Sequence, residues 1–495
     1  MRQLIVHALA MCACAASALG QTPEAKDSVV RIHASIVLPN WYEPWTSYSV
    51  NETKGTGVVI DGERILTNAH VVAYAEEILI ESEALPRRVP ATVEFLDEGV
   101  DLAVLTVDAP GFFDLHASVE FSRELPDDGD PVVVLGFPMG GETMSATTGV
   151  VSRVEWDALY FHEAGVRVQI DAAVNPGNSG GPAFVDERCI GIVFSHIEEG
   201  ENIGYVISTI EIERFLDDIA DGALDGKPYL DLDLGTTENP GRRAWLGLRV
   251  DDTGVTVLSA AEPTGLQRWD VITAVGGRAL DDQGYGEVQG KRLRWGALVD
   301  REIAPDGTVP LSIIRGGERL EIRARATPER DDLYLYTDEM RPEYFVHGPF
   351  VFTAATGHYA RLADGGPWGI SLAYRRNPLA TRRYDRRAFE DEEIVVISTR
   401  PFPHPILRGH DRIDLGSALK SVNGVEVRNL RHAYALMKGN TEAFIQLEFV
   451  DDPADGLDAL DRLITVDAAE LEAATETLLR RHSIREAASE SLRED

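Results

Sequence analysis

Cysteine is nearly absent from this 495-residue chain. Two of its three cysteines, Cys12 and Cys14, fall within the first twenty residues. Only Cys189 remains beyond them, so the rest of the chain can form no internal disulfide. Cys189 lies in Cys189-Ile190-Gly191-Ile192-Val193 and reads as a buried strand residue. Positive charge is also scarce, with 47 Lys and Arg against 82 Asp and Glu and a formal net charge of -35. Such a balance opposes binding to nucleic acid or an anionic membrane and fits solubility or a saline medium. Spanning-length apolar runs are missing. Leu4 to Ala16 is shorter than the ~20 residues a membrane helix needs. With Arg2 before it and Ala18-Leu19-Gly20 after it, this stretch reads as a secretory signal (residues 1–20) cleaved before Gln21. Export across a bacterial inner membrane, to the periplasm or beyond, follows. Met11 and Ala13 are poor flanks for lipidation of either early cysteine. Neither His-Glu-x-x-His nor paired-cysteine spacing occurs after the signal, so no metal and no cofactor is expected.

What is present is chemistry for a serine nucleophile. Asn175-Pro176-Gly177-Asn178-Ser179-Gly180-Gly181-Pro182 reads as a glycine-rich turn whose small residues let a carbonyl approach Ser179. The same turn can aim the amides of Gly177 and Ser179 at a developing oxyanion. A serine hydroxyl needs an imidazole to take its proton, and that imidazole needs a carboxylate to fix its tautomer. His70 ends the apolar run in Arg64-Ile65-Leu66-Thr67-Asn68-Ala69-His70-Val71-Val72, and Asp101 opens Asp101-Leu102-Ala103-Val104-Leu105. Singly, these would be a core histidine, a strand-end charge and a turn residue. In the order His70, Asp101, Ser179 they form the catalytic triad of the chymotrypsin arrangement.

The three blocks, together with Gln169 to Val174 and Asn202-Ile203-Gly204-Tyr205-Val206-Ile207, resemble the signature segments of HtrA/Deg serine proteases. The resemblance implies a mainly β protein, with a chymotrypsin-like double β-barrel protease domain followed by two PDZ (α+β) domains. It also implies ATP- and metal-independent endoproteolysis of unfolded or damaged polypeptides in protein quality control. Short apolar runs alternating with turn residues over 28–222 agree with a barrel pair. The Asp61-Gly62 turn makes a hairpin of Gly57 to Leu66, and helical spacing over Ile210 to Leu224 closes the domain. Asp225 to Arg243 is polar and turn-rich and reads as a linker, within 223–243.

Trp245-Leu246-Gly247-Leu248 opens a segment, 244–328, that resembles a PDZ domain. Its apolar-Gly-apolar loop, Leu246, Gly247 and Leu248, is expected to hold a peptide C-terminal carboxylate, with the next strand pairing with the peptide. Asp270 to Gly277 matches the PDZ strand and turn, although the family has glycine where Trp269 stands. The unit at 340–466 resembles the second PDZ domain of plant-type Deg proteases, with 467–495 as a C-terminal helical tail. It includes Tyr344 to Thr353, a strand at Ile394 to Ser398, a hairpin at Leu419 to Val427, a helix at Leu430 to Met437 and a strand at Phe444 to Val450. Pro349 sits in its would-be carboxylate loop and has no N–H to donate. Peptide capture is therefore assigned to the first PDZ domain and assembly to the second.

By position in the family, the S1 pocket is lined by Val174, Ile197 and Ile203, all apolar, which implies small or medium aliphatic P1 residues. The resemblance also implies a sensor loop at Glu155 to Gly165, a specificity loop at His196 to Glu201, and a homo-oligomer built from trimers. Trp41, Tyr42, Pro44 and Trp45 form an aromatic cluster expected to serve a subunit contact. Two alternatives stay open: a PDZ-based chaperone or scaffold with little proteolysis, and a different hydrolase such as an esterase.

Overall fold

The computed structural model describes residues 23–157, 163–194, 203–328, 331–336, 339–362, 369, 372–373, 376–410, 413–450 and 463–493. The expected signal, with Cys12 and Cys14, lies outside them, as does the tip of the expected sensor loop. The chain divides into two units, one of residues 1–36 and 51–329, the other of 37–50 and 330–495.

The first unit begins with two closed six-stranded barrels. Strands β1 (Val29–Ile36), β2 (Asn51–Ile60), β3 (Arg64–Thr67), β4 (Ala75–Glu81), β5 (Val89–Asp97) and β6 (Leu102–Val107) form one, with a short helix α1 (Ala69–Val72) after β3. The other comprises β7 (Pro131–Gly136), β8 (Ser145–Asp157), β9 (Gly165–Ile170), β10 (Pro182–Val185), β11 (Arg188–Phe194) and β12 (Gly204–Ser208). The β2–β3 hairpin turns at 61–63 with Gly62 and Glu63 both at positive φ, as the Asp-Gly signal implies. Between the barrels, Val58, Leu66, Leu102 and Val104 of the first share a buried core with Ile192, Phe194 and Ile207 of the second. That core also takes Ile212 and Phe215 from the amphipathic helix α2 (Thr209–Asp218). Gly222, left-handed at φ 92, stops the short 3-10 turn that follows.

The stretch read as a linker is partly structured. It holds β13 (Leu232–Thr236) and most of helix α3 (Pro240–Trp245). β13 is an edge of a sheet ordered β13-β14-β15-β19-β20, with β14 (Val255–Ala260), β15 (Val271–Val275), β19 (Thr308–Arg315) and β20 (Glu318–Arg325); β16 (Arg278–Ala279) pairs with β15, and β17 (Tyr285–Val288) pairs with β18 (Lys291–Arg294). Helix α4 (Trp295–Glu302) packs on this sheet. β13 escaped the sequence pattern because only Leu232 and Leu234 mark it, and both are only partly buried. Trp269 takes φ 79, a conformation that favours glycine. Its indole stands edge-on to Trp245 at 5.0 Å between ring centres.

In the second unit, β21 (Tyr344–His347), β22 (Phe350–Ala354), β23 (Val395–Ile397), β24 (Ala418–Val422), β25 (Val425–Glu426), β26 (Phe444–Val450) and β27 (Leu463–Asp467) form one antiparallel sheet. Helices α5 (Leu430–Lys438) and α6 (Ala468–Arg481) cover it. Asn423 and Gly424, both at positive φ, turn the β24–β25 hairpin. Residues 37–50 leave the first barrel between β1 and β2 and pack into this unit. Trp41 stacks on His358 at 5.1 Å, and Tyr42 meets buried Tyr359 edge-on. Trp45 lies between Tyr344 and Phe402, at 6.0 and 6.1 Å. The aromatic cluster expected at a subunit contact is thus occupied within its own chain.

Candidate active site

His70 and Asp101 of the expected triad are in direct contact. The short helix α1 after β3 carries His70, and Asp101 sits just before β6. His70 Nδ1 lies 3.0 and 2.9 Å from the two carboxylate oxygens of Asp101, and the His70 backbone N–H donates to Oδ1 at 2.9 Å. Asp101 is 2 % exposed and left-handed at φ 62, an arrangement that costs ~1 kcal/mol for a residue other than glycine. Asn68 holds it there by donating from Nδ2 to the Asp101 carbonyl at 3.1 Å. Loss of hydration around the ring would by itself lower the His70 pKa, even though 46 % of the side chain stays exposed. The Asp101 charge and hydrogen bond outweigh it, and the imidazole titrates above its ordinary 6.5. The same contact fixes Nδ1 as the protonated nitrogen in the neutral ring, leaving Nε2 as the proton acceptor.

Ser179, 4 % exposed, stands in the loop before β10. That loop is tied to the His70 barrel through β2 and β3. Thr56 donates its N–H to Ser179 O at 2.9 Å and its hydroxyl to Gly177 O at 2.7 Å, and Thr56 Oγ1 accepts from Phe137 N–H at 3.0 Å. Thr67, three residues before His70, donates to Thr56 O at 2.8 Å. A Cβ at Gly180 would stand 2.0 Å from Thr56 O and 2.3 Å from Thr67 Oγ1, so only glycine admits this approach. Gly177, at φ 97, is equally constrained: a Cβ there would lie 2.5 Å from Phe137 O. The Met139 N–H holds Pro176 O at 2.7 Å. Because the peptide is trans, the Gly177 N–H points away from that carbonyl. Among the described residues it donates to no backbone group. Thr56 was not singled out by sequence; the small residues of Gly55-Thr56-Gly57 were the available signal.

Of the expected S1 residues, Val174 is half-buried and meets Gly204, where a Cβ would lie 2.5 Å from Val174 Cγ2. Ile203 is 46 % exposed. Ile197 and the specificity loop 196–201 lie outside the described residues.

The expected carboxylate loop of the first PDZ segment is a helix end instead. Leu246 N–H donates to Arg242 O, Gly247 N–H to Ala244 O and Leu248 N–H to Arg243 O, at 2.9, 3.2 and 3.0 Å. These bonds cap α3, with Gly247 left-handed at φ 69. All three amides are engaged, and no strand follows directly. An apolar-Gly-apolar triplet also suits a helix C-cap, so the motif could not distinguish the two. The PDZ sheet presents β13 as its edge. In the second unit the corresponding loop is filled from within: Gly348 N–H donates to Thr475 Oγ1 of α6 at 2.6 Å, and β21 pairs with β22.

A family model described as a trypsin-like peptidase domain matches residues 55–192, and a PDZ domain model matches 335–491. The second span takes in α6, which the sequence reading set apart as a tail. Protease Do-like 2, chloroplastic, of Arabidopsis thaliana is 30 % identical over 86 % of this chain and 70 % of its own length. Protease Do-like 4, mitochondrial, of the same plant is 28 % identical over 93 % of this chain and 84 % of its own. Among solved structures, the HtrA-type protease AlgW with tripeptide aligns with 62 % of this chain and 95 % of its own, at 23 % identity and a TM-score of 0.47. The chain belongs to the Do-like (HtrA/Deg) family of serine endopeptidases, which serve protein quality control.

Proposed function

We propose that this protease cleaves unfolded polypeptides through an acyl-enzyme formed on Ser179. His70 Nε2 takes the Ser179 proton as Oγ attacks the scissile carbonyl, then gives it to the leaving amine; Asp101 orients the ring and stabilises its charged form. The amides of Gly177 and Ser179 hold the oxyanion, where one donor is worth ~3 kcal/mol of barrier. The observation that carries this reading is the His70–Asp101 pair, with buried Ser179 tied to its barrel through Thr56 and Thr67. Apolar Val174 and Ile203 support cleavage after aliphatic residues.

The first PDZ domain is the one proposed to take substrate C-termini. The support for its site is the edge strand β13, which among the described residues pairs with β14 alone and can accept a further strand. The second is occupied by its own chain and serves architecture. Assembly from trimers and export by the N-terminal segment complete the proposal; both rest on family and sequence.

β-Casein digestion by the protein and by Ser179→Ala, with cut sites mapped by mass spectrometry, tests the reading. Cuts after aliphatic residues, absent in the variant, are expected. Cleavage that persists in Ser179→Ala would sink the assignment of the nucleophile. A folded but inactive protein that still suppresses client aggregation would favour the chaperone alternative.

A further inference from the structure

The loop 137–141 carries the Met139 amide that holds Pro176 O, and it rests on a buried charge that no sequence motif marks. Arg31, on β1, is 6 % exposed. Its Nη2 donates to Gly141 O at 3.1 Å, and its Cζ stands 4.6 Å from the centre of the Phe137 ring. Nη1 donates to Glu81 Oε1 at 3.1 Å. Glu81, at the end of β4, also meets His33 Nε2 at 2.8 Å and accepts from Arg88 Nε at 2.9 Å. Arg31 thus holds both ends of the loop, Phe137 by its ring and Gly141 by its carbonyl, against a carboxylate fixed by two further side chains.

Burying a guanidinium carries a desolvation cost that an aliphatic residue in a barrel strand would avoid. What the guanidinium adds is a rigid planar fork able to meet a carbonyl, an aromatic face and a carboxylate at once. Lysine, a point charge on a flexible stem, cannot reproduce that set.

We propose that Arg31 is a positioning residue for the oxyanion hole. It fixes the 137–141 loop, the loop fixes the Met139 N–H, and that N–H keeps the Pro176–Gly177 peptide turned with the Gly177 amide toward the reacting carbonyl. Without this support the peptide can turn over and present its carbonyl oxygen where the oxyanion must form. This deepens the proposed function and rests on its assignment of Ser179 and Gly177.

The test uses the full chain, a fluorogenic peptide with an aliphatic P1 residue, and the matching peptide aldehyde, whose hemiacetal oxygen needs the hole. In Arg31→Lys, kcat is expected to fall about ten- to a hundredfold. Aldehyde affinity should fall with it, while KM stays within about twofold, the pattern of an interaction made only in the transition state. Glu81→Gln, at a half-exposed position, should show the same coupled loss at smaller size, and it carries the test if Arg31→Lys does not fold. Folded variants with wild-type kcat and aldehyde affinity would overturn the proposal. So would a loss of activity that only tracks the folded fraction. Labelling of wild-type Ser179 by a fluorophosphonate separates the two readings: no label sinks the triad assignment, whereas label with unaffected variants sinks only the role of Arg31.

Discussion

At the scale of single residues, the site is a set of groups held against their own preferences. Asp101 is buried and left-handed, and its carboxylate raises the His70 pKa against the lost hydration of the ring. A raised imidazole pKa keeps His70 protonated, and useless as a base, to a higher pH. The acid limb of kcat/KM is therefore expected above pH 6.5. Asp101→Asn removes the raising charge, so the limb should move down while kcat drops about 10⁴-fold through loss of the tautomer; a pH–rate profile of both proteins checks this. Gly177→Ala would drive a Cβ into Phe137 O, and a loss of about 10²–10³ in kcat is expected if the amide turns away. Cys189 should behave oppositely to a catalytic thiol. Burial pushes its pKa up to about 12, so alkylation should require denaturant, as mass spectrometry of iodoacetamide-treated native and unfolded protein would show. The His70–Asp101 contact was legible in sequence because the chemistry proposed for these residues needs particular residue types in short local contexts. Thr56 and Arg31 were not, because a threonine between glycines and an arginine in a strand have many uses.

Among elements, the strands with clear alternation or turn signals appear where the sequence places them: the β2–β3 hairpin, the β24–β25 hairpin, β26, α5 and α6 all match within a few residues. β13 and α3 did not show. A five-residue edge strand with two partly buried leucines carries little periodic signal, and its pairing with β14 is set by partners more than fifteen residues away. The apolar-Gly-apolar triplet misled for a related reason: left-handed glycine serves both a carboxylate loop and a helix cap. In the second PDZ unit, packing settles the issue. Gly348 has φ 57, and a Cβ there would lie 2.2 Å from Leu471 Cδ1 of α6. Gly348→Ala is expected to destabilise the protein by roughly 1–3 kcal/mol, measurable as a lower denaturant midpoint.

Across the whole first unit, a buried ionic cluster joins parts distant in sequence. Lys227 Nζ, in the connector, lies 3.0 Å from Glu211 Oε2 on α2 and 2.9 Å from Asp300 Oδ2 on α4. Arg214 pairs with Asp300 at 3.1 Å, and Trp156 Nε1, on β8, donates to Asp300 at 2.8 Å. The barrel strand β8, helix α2, the connector and the PDZ helix α4 are thus held at one point. Lys227→Met would leave two buried carboxylates short of a cation, with an expected cost of about 3–5 kcal/mol in chemical denaturation. Burial would raise the Glu211 pKa, but Lys227, Arg214 and Arg167 more than offset it and bring it down to about 2. A depressed carboxylate pKa stabilises the fold above its unfolded value near 4.5, and this contribution is lost as pH falls toward 2. Acid unfolding monitored by circular dichroism should therefore begin below pH 4.5, and Glu211→Gln should flatten that dependence.

By itself the sequence determined the chemistry and the succession of domains. A nucleophile, its base and its acid need fixed residue types, and barrels and PDZ sheets need their strand patterns. Only the tertiary structure decided that β13 is a sheet edge, that residues 37–50 pack with the second unit, and that Arg31 holds the 137–141 loop. Those features arise from contacts between residues far apart along the chain, whose side chains have many possible partners until the fold selects one.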